Sequence, residues 1–229
     1  MKSDKRLCVL LSHFFVKRNE SHKFNILKWV VQHYKEQGSF VILSAHGELP
    51  VPKEIADMID CLYWEDSIDE NEIGRGHPRF CVKGYEMAKS EGFKRLLKHR
   101  AEDLVNQDNV HSFLEQKIKD KSLIISEQTS YDRGLIGDLF HYGDLDYMYN
   151  LWTSQPWKYS NDGLVNLYSN TMFFHSGDIN MLRTKLLFLQ VETLDWVTVT
   201  DCWNHQIKSP VNIGSNYWGK GKYTYYGGT

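Results

Sequence analysis

The sequence has no paired-cysteine signature, no excess of charge and no long apolar run, and each absence removes a class of protein. Its four cysteines, Cys8, Cys61, Cys81 and Cys202, show no CxxC or other metal-ligand spacing. Reduced, structural cysteines are the expectation, with Cys8 and Cys61 behaving as small hydrophobes in apolar runs. A net charge of −2 argues against a nucleic-acid or membrane-surface binder. No stretch approaches the roughly 20 apolar residues that cross a bilayer. The basic start Met1-Lys2-Ser3-Asp4-Lys5-Arg6 leads into an apolar run of only about six residues with no cleavage site. The expectation is a chain without signal peptide or transmembrane segment, soluble and cytoplasmic. There is no internal repeat, no clear linker and no P-loop.

What is present is a globular composition, 41% hydrophobic and 24% charged over 229 residues, enough for one large domain. Residues 7–12, 39–44 and 61–64 are continuous apolar runs, as expected of strands buried on both faces. Phe24, Leu27, Trp29, Val30, Val31 and Tyr34 recur at helical spacing, and Gly38 supplies a stop. Residues 52–59 read as a short helix with Pro52 near its start. Pro78 is expected to open a helix that runs to about Ser90 and is closed by Gly92. Residues 93–98 form a fourth strand, and a helix over 110–118 leads to a fifth at 122–126. This β-α-β-α-β order predicts an α/β fold, a mostly parallel Rossmann-like sheet with helices on both faces.

Beyond Glu127 the pattern loosens. Asp144 is placed to cap a helix through Leu151, 171–174 and 196–199 read as strands, and 178–189 as a helix. The tail from Ser209 holds Gly214, Gly219, Gly221, Gly227 and Gly228 and reads as a loop or arm. The expected organisation is one domain over 1–208 with a Gly/Tyr/Lys-rich arm over 209–229.

Open α/β sheets bind ligands at the carboxyl ends of their strands. Strand 93–98 runs into Lys98-His99-Arg100-Ala101-Glu102-Asp103, where two cations precede two adjacent carboxylates. Glu102 and Asp103 suit Mn²⁺ or Mg²⁺, which take oxygen ligands and leave positions for a diphosphate. Lys98 and Arg100 fall on one side of an extended chain and can both face phosphate oxygens. A salt-bridged strand end without ligand is the competing reading. In Gly74-Arg75-Gly76-His77-Pro78-Arg79, glycines before a proline-opened helix leave backbone N–H groups free for an anion. Arg75, His77 and Arg79 are then candidates for diphosphate or sugar, and a plain capped turn is the alternative.

Lys98-x-Arg100-x-Glu102-Asp103 resembles the K-x-R-x-D element of small glycosyltransferases of bacterial capsule and lipopolysaccharide synthesis, which have relatives in large DNA viruses. Two further segments agree. Ser44-Ala45-His46-Gly47, then Pro50, Pro52, Glu54-Ile55 and Asp60, is similar to that family's "SHG…P.EI…D" stretch. Gly137-Asp138-Leu139-Phe140-His141-Tyr142-Gly143 resembles its "SD…F.G" element ahead of a helix. Together they span residues 7 to 152 in the family's order. The family's single acidic position falls on Glu102, with Asp103 beside it, so either or both are candidate metal ligands.

The resemblance implies a GT-A-like fold and a metal-dependent transfer from a nucleoside-diphosphate sugar, a UDP-sugar first among donors, to a glycan acceptor. It implies donor contacts from Ser12 and His13 at the end of the first strand, with Phe14 or Phe15 stacking on the base or packing in the core. Asp138 is the first choice for the carboxylate that takes the acceptor's proton. Asp144 is the second, against its competing role as a helix cap. The high aromatic share, 14% with seven Trp and thirteen Tyr, fits sugar stacking and core packing equally. A nucleotidyltransferase acting on sugar phosphates is one alternative, although Ser12-His13-Phe14-Phe15-Val16 contains no glycine for a nucleotide loop. A non-catalytic sugar- or nucleotide-binding module is the other.

Overall fold

Strand and helix alternate through the first half of the chain. The computed structural model describes residues 6–66, 73–101, 103–105, 108–126, 140–153, 185–189, 196–201, 209–214 and 222–227. In order these form β1 (Cys8–Val16), α1 (Lys23–Glu36), β2 (Phe40–Gly47), α2 (Lys53–Ala56), β3 (Cys61–Asp66), α3 (Ile73–Ser90), β4 (Arg95–Arg100), β5 (Asp103–Val105), α4 (Val110–Ile118) and β6 (Leu123–Ser126). There follow β7 (Phe140–Asp144), α5 (Leu145–Thr153), β8 (Leu186–Leu189), β9 (Trp196–Asp201), β10 (Ser209–Gly214) and β11 (Lys222–Gly227).

The large sheet has seven strands in the order β3-β2-β1-β4-β7-β6-β8. All its pairings are parallel except those of β7, which runs against both β4 and β6. Side chains alternate between two apolar layers. Val9, Leu11, Val41, Leu43 and Leu97 meet α1 and α4 on one face. Cys8, Leu10, Phe40, Ile42 and Leu96 meet α3 and α5 on the other. The structure is thus the mostly parallel α/β sheet with helices on both faces that the sequence implied. The thiols of Cys8, Cys61 and Cys81 are free, and burial holds that of Cys8 well above its ordinary pKa.

Both expected glycine stops are present. Gly38 at φ +73° and Gly92 at φ +81° end α1 and α3 in the left-handed conformation. The bonds Ser39 N–H to Tyr34 O (3.0 Å) and Phe93 N–H to Ala88 O (3.1 Å) close the two helices. Asp144 caps α5 as expected, its Oδ1 accepting the Tyr147 N–H at 2.7 Å.

Three local expectations change. First, α3 starts at Ile73 rather than Pro78, so Gly74 to Arg79 lie in its first turns instead of in a preceding loop. Pro78 is thus the sixth residue of α3, beyond the first four N–H groups that lack an intrahelical partner, and the helix forms with one intrahelical bond forgone there. Second, the expected helix over 178–189 gives way at its end to β8, which pairs with β6; residues 178–184 and the expected strand 171–174 lie outside the described residues. Third, the tail contains two antiparallel strands, β10 and β11, in a four-stranded sheet of order β10-β11-β9-β5. Gly214 and Gly227 end these strands rather than interrupt them, and Lys222-Tyr223-Thr224-Tyr225-Tyr226 is rich in strand formers.

Gly143 lies where β7 passes closest to β6. A Cβ there would fall 2.2 Å from the Ser122 carbonyl oxygen and 2.8 Å from the Leu123 Cα, both backbone atoms that cannot turn aside. Gly143→Ala is therefore expected to destabilise the fold by about 3 kcal/mol, read as a lower urea midpoint. Gly38→Ala meets nothing within 4 Å and carries only its backbone strain, about 1–2 kcal/mol. Equal losses in the two variants would refute the close approach of β6 and β7.

Candidate functional site

Seven polar or charged residues are buried among those described, and six of them gather toward one end of the large sheet. These six are Ser12, Ser44, His46, Lys98, His99 and His141, with Ser39 at the other end. The end in question is the carboxyl end of β1, β2 and β4. Register places Tyr63, Ser44, Ser12 and Arg100 side by side across β3, β2, β1 and β4. One row further in, Leu10 lies between Ile42 and Lys98, and Lys98 pairs with His141 on β7. Apolar rows thus give way to polar ones at the level of Lys98.

The two serines tie the sheet to α3. Ser44 Oγ donates to the Phe80 carbonyl at 2.7 Å, and Cys81 Sγ lies 3.5 Å from Ser12 Oγ. Arg100, half-buried, ends β4 beside Ser12. By strand alternation it shares a face with Lys98, as the sequence implied. Lys98, however, is fully buried, its Nζ 5.3 Å from the centroid of the Trp152 ring on α5. The His141 ring is 6.1 Å from that same indole. Arg100 reaches the rim of the site, and Lys98 sits beneath it.

His46 is the residue that the sequence-based site list missed. Its ring stacks on Phe80 at 4.9 Å and 10°, and Phe15 lies 4.8 Å away on the other strand. It is 3% exposed, and burial pushes its pKa down to about 4, against an ordinary 6.5. Its Nδ1 has no hydrogen-bond partner among the described residues. A buried polar atom of this kind is a group that a ligand can satisfy. The signal lay in the sequence: a histidine ending a continuous apolar strand, inside Ser44-Ala45-His46-Gly47.

The first strand's two phenylalanines have different fates. Phe14 is buried against Phe24 and Trp64, whereas Phe15 is half-buried and carries the Lys17 ammonium 5.9 Å from its ring. Phe15 is thus the more accessible of the two rings. Arg79 is ion-paired with Glu65, which also accepts the Tyr63 hydroxyl and adjoins His46 in register. Asp144 lies at the far end of β7, paired with Arg95, while Phe140 pairs with His99. The cap competes directly with a catalytic role there, and the sheet separates Asp144 from Arg100.

Glu102 and Asp138 lie outside the described residues, as do the side chains of His13, His77 and Asp103. The backbone of Asp103 opens β5, three residues beyond Arg100, and His13 falls at the register shift between Ser12 and Phe15. Among the described residues no three His, Cys, Asp or Glu side chains come together as a metal site. None of the described helices is long and apolar enough to cross a membrane.

Burial also lowers His99, which is fully enclosed near Tyr34, to about 3. Folded values below the unfolded 6.5 mean that the unfolded chain binds more protons between about pH 4 and 6.5. Stability therefore rises with pH across that window and is lost as pH falls through it. His46→Phe keeps the stacking and removes one titration, so its urea midpoint should depend less steeply on pH between 4 and 6.5. An unchanged slope would show that His46 is not held neutral by the fold.

No protein-family model matches the chain, and no curated protein matches it significantly. Several solved structures are similar in chain path. One is a candidate nucleotide-diphospho-sugar transferase from Desulfovibrio desulfuricans, 12% identical with a TM-score of 0.42, over 80% of this chain and 79% of that one. Another is a glycosyltransferase involved in glycosylation of the major capsid of PBCV-1, 13% identical with a TM-score of 0.46, over 86% and 85%. A third is the 4-diphosphocytidyl-2C-methyl-D-erythritol synthase of Anaerococcus prevotii, 10% identical with a TM-score of 0.48, over 81% and 87%.

Proposed function

We propose that the chain is a glycosyltransferase that takes a sugar from a nucleoside-diphosphate donor at the carboxyl ends of β1, β2 and β4. The observation that carries this reading is the gathering of six of the seven described buried polar side chains toward that end of the sheet, with Arg100 at its rim. The K-x-R-x-E-D element supports it, since the same strand end delivers Arg100 and then two carboxylates within three residues.

In this reading the donor's base stacks on Phe15, and a base or ribose hydrogen bond goes to the unsatisfied Nδ1 of His46. Arg100 faces the diphosphate, where a planar guanidinium can bind two oxygens at once. Glu102 and Asp103 would hold Mn²⁺ or Mg²⁺, whose charge offsets that of the departing diphosphate. In an inverting transfer the acceptor hydroxyl oxygen bonds to the anomeric carbon as the carbon–diphosphate bond breaks. Asp138 is proposed to take the hydroxyl proton. Two residues after it, Phe140 enters β7 opposite His99, so the chain arrives at the donor end of the sheet.

The binding half is tested by thermal shift with UDP-, GDP- and dTDP-sugars, each with Mn²⁺ and with a chelator. A donor that binds the native state raises the midpoint by mass action, and the expected rise is larger with metal. Equal shifts with and without metal, across all three donors, would remove the metal from the reading. Arg100→Ala should weaken donor binding by about tenfold or more while costing little stability in the absence of ligand. A large loss of stability with unchanged affinity would make Arg100 structural.

The chemical half is tested by Asp138→Asn, which keeps size but cannot accept a proton. Turnover, or slow donor hydrolysis by water, should fall by roughly 10²–10⁴-fold with donor affinity retained. Full activity in that variant would end the assignment. A protein that binds donor and never hydrolyses or transfers it would instead be a binding module.

A further inference from the structure

At the amino end of the parallel strands, opposite the donor end, the chain forms a half-open cavity of about 390 Å³. That volume is within the usual range for small-molecule sites. Nothing in the proposed transfer uses it. The cavity lies between the start of β1, the start of β4, the first turns of α4 and the end of β7. β4 runs from Arg95 at this cavity to Arg100 at the donor end, about 17 Å at a strand's rise per residue.

The lining is apolar at its base and charged at its mouth. Leu7, Cys8 and Phe93 are buried, while Arg6 and Lys94 are exposed. The acids present are already engaged. Glu115 pairs with Arg95 at 2.5 Å and accepts the Tyr142 hydroxyl, and these bonds outweigh burial to hold its pKa below the ordinary value. Asp144 caps α5. Among the described residues no carboxylate pairs with Arg6 or Lys94, so the net charge facing the cavity is positive.

Arg6 is also pre-organised. Its guanidinium lies 4.8 Å from the Phe40 ring centroid and 5.9 Å from that of Phe93. These cation–π contacts hold the guanidinium beside the two rings, where its N–H donors can serve an anion. Lys94 adds a mobile ammonium on the same rim. A ligand suited to these walls carries a dianionic head for Arg6 and Lys94. Its body is small, with one apolar face for Phe93 and hydroxyls for the remaining acceptor positions of Glu115. We infer that this cavity binds a phosphorylated sugar, or a sugar-sized polyol phosphomonoester, independently of the donor site.

The test is isothermal titration of the full chain with glucose 6-phosphate at low salt, in the presence of saturating UDP to fill the donor end. Saturable binding is expected, with glucose weaker by about tenfold or more for lack of the charge-assisted bonds. The double variant Arg6→Gln/Lys94→Gln should lose about tenfold or more in affinity, and Arg100→Ala should bind as wild type. Lys94→Gln alone alters an exposed side chain that forms no ion pair among the described residues, so its weaker binding cannot be blamed on misfolding. Absence of saturable binding overturns the inference, as does unchanged affinity in both Lys94 variants, or loss of binding in Arg100→Ala alone. Inorganic phosphate binding as tightly as glucose 6-phosphate would overturn the sugar part of the assignment.

Discussion

Leu7 to Leu11, at the start of the interior strand β1, are at most 3% exposed, with apolar helices on both faces. A strand so enclosed cannot hold an unpartnered polar side chain without a cost of a few kcal/mol, so polarity is driven toward its ends. Ser12 is the first residue of β1 that departs from the apolar run, Ser44 departs at the same level of β2, and β4 departs two residues earlier, at Lys98. The site's position follows from that solvent-free centre. Polar groups lie where the chain can leave the sheet and where α3 can satisfy the two serine hydroxyls.

The reversal of β7 shapes both ends of the sheet from one short segment. Because β7 runs against β4, His141 joins Lys98 toward the carboxyl end of β4 while Asp144, three residues later, reaches the opposite end beside Arg95. Those two residues lie roughly 10 Å apart along the strand. Gly143 permits the arrangement, since any side chain there would collide with the β6 backbone. Asp144 then starts α5, and α5 returns Trp152 over Lys98. A single reversed strand thus builds a cap at one edge and a lid over a cation near the other.

Much of this was legible in the sequence, for identifiable reasons. Continuous apolar runs marked the strands buried on both faces, and Gly38 and Gly92 marked helix ends because each adopts a positive φ. The residues that carried the family resemblance divide on inspection into scaffold and site. Asp60 accepts the Val41 N–H and the Lys35 ammonium at 2.7 Å each, and Gly47 is required because a Cβ would strike Trp64 at 2.7 Å. Arg100 and His46 belong to the site. The direction of β7 was not legible, because Phe140-His141-Tyr142-Gly143-Asp144 carries the same side-chain alternation whichever way it runs. Nor was the depth of Lys98, since alternation assigns a face but not what covers it. The tail misled because Gly214 and Gly227, counted as breakers, sit at strand ends.

The electrostatics at the carboxyl end of β1, β2 and β4 follow from burial more than from composition. His46 and His99 are kept neutral at pH 7 by their enclosure, so these two imidazoles add no charge there. The positive charge of β4 at this end comes from Lys98 and Arg100, which differ in access rather than in sign. Arg100 at the rim can touch an anion and order it through paired hydrogen bonds. Lys98, enclosed against Trp152, cannot touch an anion held at the rim, yet its field passes through protein rather than water and is weakly screened. In the proposed reading these are separate tasks. Arg100 discriminates the geometry of the diphosphate, and Lys98 makes the strand end favourable to negative charge before any donor arrives. The two cations of the K-x-R element are therefore not interchangeable, although the sequence presents them as a matched pair.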